Sequence, residues 1–244
     1  MNVLEHLEPK SVFRFFEEMC AIPHGSRNTK AVSDWCADFA RARGLEYHQD
    51  GDNNIIIIKE AAPGYEAAPP VILQGHLDMV CEQTADCQKD MSREGLDLAV
   101  DGDFVYAKGT TLGGDDGIAV AMALALLDAE GLPHPRLEAV FTVDEEIGLL
   151  GAASIDVTPL KGRQMLNLDS EAEGIFTVSC AGGNTSACLL PLTRAPFDGA
   201  GVTVAVGGLT GGHSGAEIHK GRANANVLMG RILRAAARRT ELRL

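Results

Sequence analysis

Aromatic side chains are scarce in this chain, at 5% of 244 residues with a single tryptophan. That scarcity argues against an aromatic-rich sandwich. Together with 27 glycines it suits an α/β protein with many tight loops. No apolar run reaches the ~18 residues that a membrane helix needs. The Ala-rich stretch 118–127 is shorter than that and reads as a core helix. A charged segment followed by an apolar one is also missing at the start, so no secretory signal is expected. The six cysteines (Cys20, Cys36, Cys81, Cys87, Cys180 and Cys188) form no C-x-x-C pair. Reduced thiols in a cytoplasmic protein are the expectation. Positive charge is in short supply too: 21 basic residues stand against 34 acidic ones, a formal net charge of −13. Such a surface repels nucleic acid and anionic membrane, so neither is expected as a partner. A divalent cation or a substrate amine would suit it better.

What is present is an interleaving of helix and strand patterns. Ser11 is placed to cap a helix through "VFRFFEEMC", and a second helix is expected over roughly 29–43, stopped by Gly44. "NNIIIIKE" and 71–77 read as strands, "LDLAVDGDFVYAKG" as a hairpin around Asp101-Gly102, and "GIAVAMALALLDAEG" as a buried helix. "RLEAVFTVDEEIG" and "RQMLNLDSE" read as further strands running into acidic loops. The pattern predicts a three-layer α/β core with a mixed sheet over residues 1–182. After about residue 180 the texture changes. "AGGNTSACLLPLTR" and "AGVTVAVGGLTGG" read as strands of a new sheet, followed by a helix over roughly 222–240. Residues 183–244 are therefore expected to begin a second, α+β domain.

Chemistry gathers at the strand ends. In "VILQGHLDMV", residues two apart share a face of the strand, so His76 and Asp78 point the same way at its carboxyl end. Open α/β sheets hold their ligands at that end. "TTLGGDDGIAV" sets Asp115 and Asp116 in a Gly-rich loop before a helix. Two carboxylates there would repel a phosphate and favour a cation, although a turn in which Asp116 caps the helix reads as well. "VFTVDEEIGLLG" places Asp144, Glu145 and Glu146 in a row, costly unless solvated or neutralised by cations. If that stretch is extended, Glu145 and Glu146 point to opposite sides and could divide metal binding from proton handling. "MLNLDSEAEG" ends its strand at Asp169. One imidazole and several carboxylates fit zinc, manganese or cobalt, and two ions sharing a bridging carboxylate would use them all.

At these residues the sequence resembles a known family. "GHLDMV", "GTTLGGDDGIAVAMALA", "TVDEEIGLLGA", "NLDSE" and "GGHSGAEIHKGRANAN" look like the aminoacyl-histidine dipeptidases, also called peptidase D or β-alanyl-histidine dipeptidase, of the di-zinc metallopeptidase clan. The resemblance implies a zinc-peptidase-like catalytic domain with an inserted lid, and two zinc ions per full-length subunit, with manganese or cobalt as alternatives. It implies a small dipeptide as substrate, typically Xaa-His, and allows a homodimer. His76 would bind one zinc and Asp78 would orient it. Asp115 would bridge both metals across a cis peptide to Asp116. Glu146 would ligate the second zinc and Asp169 the first. Glu145 would be the general base, and His213, in "TGGHSG", would reach the reacting carbonyl from the lid.

The resemblance also implies a longer chain, about twice this length, in which a returning segment supplies a further histidine to the second zinc. Little or no activity is therefore expected of these 244 residues alone. Related readings are a tripeptidase, carboxypeptidase or aminoacylase of the same clan, or a non-catalytic metal-binding fragment. Nucleotide binding through "LGGDDG" is set aside, since the loop lacks a P-loop lysine and a dinucleotide fingerprint.

Overall fold

A computed structural model describes residues 3–170, 174–178, 186–196, 198–212 and 217–241. It divides into two units, Met1–Gly174 and Ile175–Leu244. The first opens with helices α1 (Lys10–Cys20) and α2 (Lys30–Ala42), followed by strands β1 (Glu46–Gln49), β2 (Ile55–Lys59) and β3 (Val71–His76). A hairpin comes next, β4 (Leu98–Asp101) and β5 (Phe104–Ala107), turning at Gly102 with φ 57. Helix α3 (Gly114–Asp128), strand β6 (Leu137–Thr142), the short helix α4 (Leu150–Ser154) and strand β7 (Gln164–Asn167) complete it.

Five strands form one sheet in the order β1-β2-β6-β3-β7. β3 runs parallel to both β6 and β7, while β2 is antiparallel to β6 and to β1. The sheet is thus mixed, with its parallel strands together. Successive residues of β2 are buried on both faces, as the run of four isoleucines requires. Ile55 and Ile57 join Leu73, Ala139 and Phe141 beneath α1, α2 and α3. Ile56 and Ile58 face the other way with Ile72 and Val140, covered by Ile155 and Leu160. The second cover is much thinner than the first.

Several expectations change in detail. Pro9, with extended backbone, is the N-cap of α1, and Ser11 lies inside the helix. β1 was not foreseen: "EYHQ" is short, polar and alternately half-buried. In the second unit, α5 (Ala225–Ala237) forms where a helix was expected, and the Asn224 side chain caps it by accepting from Val227 N at 3.1 Å. The strands expected in 181–194 and 200–212 do not form among the described residues. The unit boundary falls at 174/175, whereas the residues on either side of the expected 182/183 division lie outside the described ones. No helix among the described residues is long and apolar enough to cross a membrane.

Candidate metal centre

Because β3, β6 and β7 are parallel, their carboxyl ends open on one edge of the sheet, where α3 also begins. His76 is the last residue of β3 and is 1% exposed. Its Nδ1 lies 2.9 Å from the Asp78 carbonyl oxygen, which can only accept, so Nδ1 carries a proton. That leaves Nε2 to face the cluster, 3.0 Å from Asp115 Oδ1 and 3.9 Å from Glu145 Oε2.

Asp115 and Asp116 begin α3 with non-helical backbone, and the peptide between them is cis. Asp116 does not cap the helix. Its Oδ2 accepts from His76 N at 3.2 Å, and the residue is 2% exposed. Gly75 makes that approach feasible, since a Cβ there would lie 2.7 Å from Asp116 Oδ2.

The three acids after β6 separate. Asp144, at φ 55, turns its Oδ1 to accept from Arg27 N at 2.6 Å. The backbone then forms a turn rather than a strand. Glu145 and Glu146 therefore both approach the cluster instead of pointing to opposite sides. The buried Asp78 carboxylate fastens that turn, accepting from Glu145 N at 3.0 Å and Glu146 N at 3.4 Å, with Ser26 Oγ donating at 2.8 Å. Nothing in the sequence pattern marked Ser26, which lies in the loop between α1 and α2.

Two donor groups result, each with one ligand atom per residue and all atoms within 4.8 Å of one another: His76, Asp115 and Glu146, and Asp115, Asp116 and Asp169. Asp115 belongs to both. Glu146 is grouped with His76, and Asp169 with Asp116, whose carboxylate the sequence reading left to a cap or to the cis peptide. His213 lies outside the described residues.

The electrostatics match a cation-binding pocket. Burial works against charge on His76, but hydrogen bonds to Asp115 and Asp78 outweigh it and push its pKa up to about 11. Burial pushes Asp116 up to about 7, reinforced by Asp169 and Asp115 and opposed by His76. Burial and the neighbouring carboxylates likewise raise Glu145 and Glu146. Asp78 is depressed: burial raises it, but His76, Glu145 N and Ser26 prevail. One imidazole thus faces more carboxylates than it can neutralise, and a divalent ion would supply the missing positive charge.

Residues 72–186 match the family model described as Peptidase family M20/M25/M40. Over its whole length the chain is 39% identical to the cytosol non-specific dipeptidase of Escherichia coli (strain K12), of which the match covers 51%. Aminoacylhistidine dipeptidase from Vibrio alginolyticus has a similar structure, with a TM-score of 0.70 and 34% identity over 94% of this chain and 47% of that one. A tripeptidase from Staphylococcus aureus, 22% identical with a TM-score of 0.55 over 67% of this chain and 44% of its own, shares the fold. The chain spans about half the length of the cytosol non-specific dipeptidase and of the aminoacylhistidine dipeptidase. Both donor groups lie inside residues 72–186, the segment that matches peptidase family M20/M25/M40.

Proposed function

We propose that this chain carries the metal-binding and proton-handling half of a dipeptidase that cleaves short peptides with free termini, Xaa-His among them. The observation that carries the reading is the convergence of two donor groups on Asp115 at the carboxyl edge of the parallel strands. Zinc held there would supply Lewis acidity and lower the pKa of water towards neutrality.

The roles of the chain's own side chains follow from their positions. His76 offers Nε2 as a donor because Asp78 holds the proton on Nδ1. Asp115 bridges the two groups, Glu146 completes the one with His76, and Asp116 and Asp169 complete the other. The first group includes a nitrogen and suits zinc or cobalt. The second offers only carboxylates among the described residues, which zinc also accepts. Asp78 positions both the imidazole and the 145–146 turn. Glu145 is in neither donor group, yet its Oε2 lies at their rim. Its raised pKa suits a base that takes a proton from water at Oε2 and returns it to the leaving amine nitrogen. His213, whose role rests on the family resemblance, would donate to the developing oxyanion, a contribution of about 3 kcal/mol for one donor.

The test is zinc content and alanyl-histidine hydrolysis, measured for the wild type and Glu145→Gln. Hydrolysis by this span alone is expected to be slow, so long incubations and a zinc-free control are needed. The proposal predicts equal zinc in both proteins and hydrolysis lower by about 10²–10⁴-fold in the variant. A chain that holds no zinc, or a variant as active as the wild type, would overturn it.

A further inference from the structure

A cavity of about 450 Å³ opens beside the metal centre, and none of the roles above uses it. It reaches the centre through Ser26 and Glu146, which respectively donate to Asp78 from the Oγ and from the backbone N. Away from that mouth its wall is apolar and rich in sulfur, with Met79, Cys81 and Met91 beside Val80 and Ile147. Met79 and Met91 are buried, whereas Val80 and Ile147 are more than 40% exposed. The wall is closely fitted at Gly25, where a Cβ would come 2.6 Å from Cys81 Sγ. Glu82 also lines the cavity.

These features define a ligand with a flexible apolar group inside the cavity and its polar end towards the metal centre. Unbranched thioether side chains adapt to apolar guests of different shape, so the wall discriminates by polarity more than by outline. We propose that this cavity receives the side chain of the peptide's amino-terminal residue, entering at the Ser26–Glu146 mouth beside the metal centre. The substrates favoured are those with a medium-sized apolar first residue, such as leucine or methionine, over glycine. This assignment rests on the dipeptidase reading, because the cavity is placed relative to the groups that reading uses.

The test needs no turnover. The chain is labelled with ¹³C at the methionine methyls and titrated with L-leucinamide and, separately, with glycinamide, with zinc and again with EDTA. Leucinamide is expected to shift the Met79 and Met91 methyl signals under both conditions, and glycinamide to shift them far less. Ser92→Trp puts an indole into the cavity from an exposed position, away from the metal-binding turn. It should weaken leucinamide binding about tenfold or more, the loss expected when a leucine side chain is no longer buried. A benzyl disulfide on Cys81, with Cys81→Ser as the unreactive control, should do the same reversibly. Equal shifts with glycinamide, or undiminished leucinamide binding in both blocked forms, would overturn the proposal. Zinc content measured on the same samples judges the dipeptidase reading separately, since the EDTA arm tests the cavity without metal.

Discussion

Asp78 belongs to neither donor group, yet its carboxylate joins three parts of the centre. It sits 3.5 Å from His76 Nδ1, takes the two backbone N–H groups of the Glu145–Glu146 turn, and accepts from Ser26. Truncating it leaves Glu145 N, Glu146 N and Ser26 Oγ without that acceptor and frees the turn, while the Asp78 carbonyl still holds His76 Nδ1. Asp78→Ala is therefore expected to weaken zinc binding about 10–100-fold, read by competition with a chromophoric chelator. Unchanged affinity would mean that the turn holds its place without the carboxylate. Asp116 depends on its neighbour in a similar way. Gly75→Ala should push the Asp116 carboxylate off His76 N and lower metal affinity, while Gly51→Ala, where nothing lies within 4 Å, provides a surface control that should not.

At the scale of the element, β7 carries Asp169 towards the centre but is exposed along its whole length as an edge strand. Its entry is anchored from β6. The fully buried Glu138 accepts from Lys161 N at 2.9 Å and Gly162 N at 2.9 Å, and pairs with Arg136 Nε at 2.7 Å. Arg136 also pairs with Glu60. Removing one partner of such a buried pair costs about 3–5 kcal/mol. Glu138→Ala should lose stability of that order by urea denaturation, with the lower end favoured because Glu60 remains. The Glu138 pKa is depressed: burial raises it, but Arg136 and the two backbone donors prevail. Its contribution is therefore present above the ordinary carboxylate pKa and lost as pH falls through the depressed folded value. The gap between wild type and variant should shrink at acid pH.

The elements differ in how far the sequence foretold them. β3 and its His76–Asp78 end were legible because strand periodicity alone decides which side chains share a face. The Asp115–Asp116 loop was legible as a concentration of charge before a helix, from its two carboxylates and its glycines. The division of labour after β6 was not, because it depends on Asp144 adopting φ 55 and turning to Arg27 N, a contact across 117 residues. Asp116 entered the site through a backbone contact to β3 that no local pattern encodes. The alternating residues of 200–212 suit a strand, but a strand also needs a paired neighbour, and no described residue provides one.

At the scale of the molecule, the centre sets how stability responds to pH and metal. His76 titrates near 6.5 ordinarily and at about 11 when folded, so its stabilisation is full below 6.5 and lost as pH rises towards 11. Asp116 moves from 3.8 to about 7, so folding is increasingly disfavoured as pH rises through that window. Both act in one direction, and the metal-free chain should show a falling urea midpoint between pH 6 and 9. Zinc should reverse this, since its ligands must shed their protons and its affinity grows with pH. At 100 times its Kd it should add about 2.7 kcal/mol, removable with EDTA. A flat midpoint in the metal-free chain would contradict the charge arrangement described.

The shared role of Asp115 is tested most directly by anomalous diffraction at the zinc edge from a crystal soaked in zinc. Two peaks flanking the Asp115 carboxylate, about 3.5–4 Å apart, one beside His76 and Glu146 and the other beside Asp116 and Asp169, are the predicted result. Zinc bound only away from Asp115, or no ordered zinc at all, would contradict it.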